Sequence, residues 1–224
     1  MPVFASLEVY HDESTRTAAI NMAIDEALLE NAIKPAIRFY QWDHPALSFG
    51  YFGRYADVAN ENRDLVRRWT GGGIVFHGED LTYSVVIPAR HPRCGESAKS
   101  IYEKIHRSLS DALRALGQEA VVAGDGDAAV NDRGYNGRCF AHPVRTDVLV
   151  NGRKVAGAAQ RRTRAGLLQQ GSIQNVDLAN GLVERFASKL CEVCDEKPFP
   201  RHVIKRAIEI ADRKYATETW LQRR

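Results

Sequence analysis

The stretch Arg67-Arg68-Trp69-Thr70-Gly71-Gly72-Gly73-Ile74-Val75-Phe76-His77 constrains the fold more than any other part of the chain. Two cations run into three consecutive glycines, and an alternating apolar run follows that closes on a histidine. Glycine has no Cβ and accepts positive φ, so such a stretch brings backbone close to whatever binds beside it. Bare N–H groups next to Arg67 and Arg68 suit a carboxylate, a phosphate or another strongly polar group. The alternative is a glycine-rich hairpin turn carrying surface arginines. The spacing matches neither a P-loop nor a dinucleotide fingerprint.

The chain around this stretch has 224 residues, enough for one sizeable core, and the expected organisation is a single domain over 1–224 without a C-terminal accessory domain. Its balance of 31 basic and 28 acidic residues gives +3, which suits acidic partners or anionic substrates but does not by itself imply nucleic acid. No run of about 18 apolar residues predicts a transmembrane helix. Met1 to Val9 lacks the pattern of a secretory signal. Cys94, Cys139, Cys191 and Cys194 form no dense framework. A cytoplasmic protein with reduced thiols, no nucleic-acid partner and no membrane contact is therefore expected.

Apolar residues at helical spacing predict a helix over Thr17 to Asn31, and a repeat of four in Ile101, Ile105, Leu109 and Leu113 predicts another over Ala98 to Leu116. Helices are also expected over Asp57 to Arg63, Val176 to Ala187 and Pro200 to Tyr215. Strands are expected at Leu7 to Tyr10, Ala36 to Trp42, Ala46 to Phe52, Leu81 to Pro88, Ala120 to Ala123 and Leu167 to Ile173. Gly124 to Gly137 reads as a loop, and Asn151-Gly152 between Asp147–Val150 and Lys154–Gln160 is a hairpin signal. Antiparallel-looking strand pairs with helices between them predict an α+β fold of mixed, largely antiparallel sheets flanked by helices.

Lys154 enters a strand of small residues, Ala156 to Ala159, where it could polarise a carbonyl or hold a phosphate; a solvated strand-start lysine is the alternative. Cys139 follows Arg138 and precedes His142, so a thiolate nucleophile stands against an inert buried thiol. His77 could orient a substrate or be a satisfied structural histidine. Cys191-x-x-Cys194 has metal or redox spacing without a second ligand pair, and its apparent helical setting favours structural thiols; no metal site is expected. Arg161, Arg162 and Arg164 form a basic turn that could meet a phosphate or an acidic protein.

Taken together, Asn21 to Ala27, Arg38-Phe39-Tyr40-x-Trp42, the Arg67 to His77 stretch, Leu81-Thr82-Tyr83-Ser84, Gly152 to Gln160, Gln170 to Ile173 and Lys214-Tyr215-x-Thr217-x-x-Trp220 resemble the lipoate-protein ligase A and octanoyltransferase family, relatives of the biotin protein ligases. The resemblance runs over nearly the whole chain in the family's order. It implies a mixed sheet with an acyl tunnel beside the glycine-rich strand, and transfer of a lipoyl or octanoyl group to one lysine of a lipoyl domain. The partners it implies are lipoyl domains of 2-oxoacid dehydrogenase complexes and the glycine cleavage H protein. Acyl carrier protein or a separate accessory subunit could join them. It also implies that Arg67, Arg68, Thr70, Gly71, Gly72, Gly73, His77, Gly157, Ala159 and Gln160 line the acyl or adenylate pocket and that Lys154 is tied most closely to catalysis.

Two branches follow from the resemblance. A ligase activates lipoate with ATP and Mg²⁺ through an acyl-adenylate; an octanoyltransferase needs neither and works through a cysteine thioester. Gly73, completing the triple glycine, points to the ligase, as do the more numerous pocket matches. Leu81 to Ser84 and Cys139, fifteen residues before Lys154, point to the transferase. The ligase is placed first, and a non-catalytic lipoyl-domain or acyl-carrier binding module is the reading from another class.

Overall fold

The computed structural model describes residues 1–124, 145–178 and 181–223. Strand β1 (Phe4–His11) leads to helix α1 (Ala18–Asn31), whose first turn is capped by Thr17 accepting from the Ile20 amide. Ten of the fourteen residues of α1 are buried, so the polar ones among them must find partners inside the protein. Strands β2 (Ala36–Tyr40), β3 (Ala46–Phe49), β4 (Asp64–Arg67), β5 (Val75–His77) and β6 (Leu81–Pro88) follow. Helix α2 (Ala98–Ala115) begins at the Ser97 cap and packs on one side of the strands.

Strand β7 (Ala120–Val122) pairs with β8 (Val148–Val150), which a tight turn joins to β9 (Arg153–Arg162). Asn151 and Gly152 sit there at φ 50° and 75°, the paired positive values of a hairpin turn that Asn-Gly predicts. β10 (Gly166–Ile173), α3 (Leu182–Leu190), β11 (Cys191–Glu196), α4 (Arg201–Ile210), a wide turn of helix over Ala211–Tyr215 and the short α5 (Glu218–Leu221) complete the chain.

Among the described residues, eight strands form one sheet in the order β11-β1-β2-β6-β10-β9-β8-β7, and β4-β3-β5 form a second. β1 runs parallel to both β2 and β11, and β3 parallel to β4; the other pairs are antiparallel. The mixed α+β architecture expected from the sequence is present. Alternation within β6 shows how the sheet divides two cores. Leu81, Tyr83, Val85 and Ile87 pack with α2 and α3, while Thr82, Ser84 and Val86 face the α1 side.

Three expectations need correction. Asp57 to Arg63 holds no helix: a single 3₁₀ turn, Tyr55–Asp57, precedes turns, because the segment offers no apolar stripe to bury. The helix expected from Val176 begins only at Leu182. Cys191 and Cys194 lie on β11, not on a helix, and are joined as a disulfide, not left as thiols. Parallel pairing of Phe4 with Cys191 and Leu7 with Cys194 fixes that strand against β1 and overrides its helical spacing.

Candidate functional site

A cleft lies between the small sheet with its glycine strip and the β9–β10 hairpin. Met22, Tyr40, Trp42 and Val75 give it an apolar interior; Ser48, Arg68, His77, Thr82, Gln170 and Ser172 add polar groups. A largely apolar cleft with a few convergent polar groups suits an extended hydrophobic ligand with one polar head. Of the residues expected to line it, Arg68, Gly72, His77, Gly157 and Ala159 do so. The glycine strip is seated by close backbone approach: a Cβ on Gly50 would stand 2.0 Å from the Gly72 carbonyl oxygen.

Lys154 is buried rather than solvated. Its Nζ lies 2.7 Å from Asp147 Oδ2, and the other Asp147 oxygen accepts from Tyr102 Oη at 2.7 Å. Tyr102 Oη in turn accepts from the Ala158 amide, tying the pair to the cleft wall. The lysine end rests on Gly157, where a Cβ would meet its Cε at 2.7 Å and its Nζ at 2.9 Å. The small-residue run on β9 is therefore what admits an ammonium directly behind the wall of the cleft. Burial is the first cause that pushes the Tyr102 hydroxyl far above its ordinary value, with the Asp147 charge second; it stays a donor.

The two arginines part company. Arg68 Nη1 donates to Ser48 Oγ at 2.7 Å and Nη2 to the Gly71 and Gly73 carbonyls at 3.1 and 2.7 Å, so it braces the strip from inside the cleft. Arg67 does not face a ligand head group. It points the other way and donates to the carbonyls of Tyr51, Gly53, Trp220, Leu221 and Arg223. Neighbours on an extended segment project to opposite sides, which separates a pair that looks equivalent in sequence.

Thr70 Oγ1 donates to Gln170 Oε1, and Gln160 pairs with Gln169; neither Thr70, Gly71, Gly73, Gln160 nor Lys154 itself forms cleft wall. The amides of Gly71, Gly72 and Gly73 donate to no acceptor among the described residues.

Behind the cleft, Asp25 accepts from Arg38 Nη1, Tyr40 Oη, Ser84 Oγ and Gln170 Nε2 at 2.7–3.0 Å. That web carries Thr70 through Gln170 to α1, so the glycine strip is referenced to the buried helix.

A second chain of bonds runs along the cleft wall. Ser48 Oγ lies 2.6 Å from His77 Nε2, and His77 Nδ1 lies 2.7 Å from Asp80 Oδ2. Thr82 and Ser172 hydroxyls also donate to Asp80 Oδ2. Burial pushes the His77 imidazole below its ordinary value against the pull of Asp80. Burial raises Asp80, but His77 and its hydrogen-bond donors outweigh that and hold it below the usual carboxylate range. Asp80 Oδ2 accepts from both hydroxyls as well, so the hydrogen between it and His77 sits on Nδ1.

Sequence reasoning left out Ser48, Asp80, Tyr102 and Asp147. Each is a polar residue at a buried register position, which signals a partner but not which one. Cys139 and His142 lie outside the described residues, as does most of the Gly124 to Gly137 loop. Among the described residues no group of three or more His, Cys, Asp or Glu side chains is arranged to hold a metal ion. Asp147, beside Lys154, is committed to the lysine and to Tyr102.

Comparison with known proteins fits this geometry. Residues 17–211 match the family model described as the lipoyl protein ligase A/B catalytic domain. The octanoyltransferase LipM of Bacillus cereus is 40% identical over 179 residues, 73% of this chain and 64% of that protein. LipM of Oceanobacillus iheyensis is 35% identical over 194 residues, 81% of this chain and 70% of that protein. The chain thus spans less than two thirds of the Bacillus cereus relative. Protein Ta0514 of T. acidophilum shares the fold, with a TM-score of 0.75 at 23% identity over 98% of this chain and 99% of that one. With the glycine strip, the cleft and the buried lysine in place, the chain belongs to the lipoyl protein ligase A/B catalytic domain family.

Proposed function

We propose that the chain transfers an octanoyl group from the thioester of an acyl carrier protein to one lysine of a lipoyl domain, through a thioester on Cys139. The observation that carries the transfer chemistry is Lys154 seated on Gly157, an ammonium directly behind the cleft wall. Cys139, fifteen residues before it, supplies the nucleophile in this reading. The relatives named octanoyltransferase favour this branch over the ATP-dependent one that the pocket residues alone placed first.

In the first step the Cys139 thiolate attacks the acyl carbon, and the carrier thiolate leaves. In the second, the neutral amine of the acceptor lysine attacks the new thioester. Negative charge grows on the carbonyl oxygen, where Lys154 stabilises it. The C–S bond then breaks, and the amine proton passes to the departing sulfur. Asp147 and Tyr102 hold the ammonium so that little rearrangement is needed as the charge develops. The apolar interior of the cleft receives the chain, and no step runs through a nucleotide or a metal ion. Lipoyl domains of 2-oxoacid dehydrogenase complexes or the glycine cleavage H protein are the acceptors, in the cytoplasm.

A second reading, ligation of lipoate with ATP and Mg²⁺, is favoured by Gly73 completing the triple glycine. One assay separates them. Apo lipoyl domain is incubated with octanoyl-acyl carrier protein or with lipoate, ATP and Mg²⁺, and the product is weighed. Modification from the carrier alone, lost in Cys139→Ala, is the expected result. Modification with ATP alone, untouched by that substitution, would assign the chain to the ligases.

A further inference from the structure

The acyl-transfer scheme leaves one array in the cleft unused. Ser48 Oγ, His77 Nε2, His77 Nδ1 and Asp80 Oδ2 are linked in order at 2.6 and 2.7 Å, and both Ser48 and His77 line the cleft. Asp80 can only accept, so His77 carries its hydrogen on Nδ1, and Nε2 is left to take the hydrogen of Ser48. Arg68 Nη1 donates to Ser48 Oγ at 2.7 Å, placing a cation where an alkoxide or an adjoining oxyanion would form. Asp80 is fixed by Thr82, Ser172 and the Gly78 amide, and Trp42 stacks on the imidazole with ring centroids 4.0 Å apart.

Nucleophile, base and orienting carboxylate within bonding reach are the geometric signature of an acyl hydrolase, whatever their order in the chain. A structural network could serve as well with a residue that does not face the cleft.

We propose that Ser48, His77 and Asp80 form a second acyl-handling centre that hydrolyses medium-chain acyl esters and thioesters to the free acid. The proposal rests on the acyl occupant of the cleft argued above. Ser48 Oγ attacks the acyl carbon as its proton passes to His77 Nε2. The carbon–sulfur or carbon–oxygen bond breaks, and the leaving thiol or alcohol takes that proton. Water then attacks the Ser48 ester, giving one proton to His77. The carbon–Oγ bond breaks, the proton returns to Ser48, and a carboxylic acid is released. No acceptor protein takes part.

The test uses the purified full chain with an octyl fluorophosphonate and with p-nitrophenyl octanoate, no carrier or lipoyl domain being present. The expected results are a single phosphonyl adduct mapping by mass spectrometry to Ser48, and a loss of ester hydrolysis of about 10²-fold or more in Ser48→Ala at unchanged Tm and in Asp80→Asn under conditions where it is folded. The adduct is read on the unaltered chain, so a variant that fails to fold does not decide the matter. An adduct elsewhere, no adduct, or hydrolysis that survives Ser48→Ala and disappears in Cys139→Ala would overturn the proposal. Transfer from octanoyl-acyl carrier protein to apo lipoyl domain, measured in parallel, reports on the transferase reading independently.

Discussion

At the scale of single residues, Lys154 illustrates how a cation is made useful by what lies beside it. Gly157 lets the ammonium sit directly behind the cleft wall, and Asp147 holds it there. Removing the charge in Lys154→Ala is expected to lower kcat for transfer by about 10²–10³-fold with the fold intact, read by steady-state kinetics beside a thermal melt. Gly157→Ala tests the placement without touching the charge. Its Cβ displaces only the flexible end of the lysine, so transfer should fall at least about tenfold while Tm moves little. Equal transfer rates in the two forms would contradict the role of that contact.

His106 gives a pH-dependent prediction. Buried between Tyr83 Oη and the Thr146 carbonyl, its imidazole is pushed down to about 4, and its Nδ1 donates to that carbonyl. The unfolded chain binds this proton at higher pH than the native one, so stability falls as pH drops from the ordinary histidine range through about 4. Denaturant midpoints for wild type and His106→Gln should converge across that window.

At the scale of elements, α1 and the glycine strip set the cleft. Asp25 on α1 meets Arg38, Tyr40, Ser84 and Gln170, and both Asp25 and Arg38 are buried with side chains at 0% exposure. Asp25→Ala leaves the Tyr40, Ser84 and Gln170 donors without their buried acceptor, while Arg38 keeps Asp12 at 2.7 Å, and should cost about 3 kcal/mol in chemical denaturation. A cost near zero would mean that the web is dispensable.

Much of this level was legible in the sequence. The periodicity of α1 and α2, the Asn151-Gly152 turn and the β6 run each dictated one local structure, and the structure has them. What was not legible depends on direction or on partners far away in the chain. Arg67 and Arg68 read alike until the extended backbone sends one to the C-terminal segment and the other into the cleft. Cys191 to Glu196 carries no strong strand alternation and becomes a strand through pairing with β1. Ser48 sits in an apolar run where nothing local announces that His77, 29 residues later, will meet its hydroxyl.

At the scale of the whole molecule, the cleft exists because the small sheet is pressed against the large one, with chain ends distant in sequence fastening it. Arg67 ties β4 to the last described residues through the carbonyls of Trp220, Leu221 and Arg223, while Trp220 Nε1 donates back to the Arg67 carbonyl. In the proposed reaction this assembly moves an acyl group from carrier thioester to protein lysine. Its most direct measurement is the mass of an apo lipoyl domain after incubation with the full chain and octanoyl-acyl carrier protein, without ATP. One octanoyl group added per domain is expected, abolished by Cys139→Ala and strongly reduced by Lys154→Ala. An unmodified domain under those conditions, alongside modification from lipoate with ATP and Mg²⁺ by the Cys139→Ala chain, would contradict it.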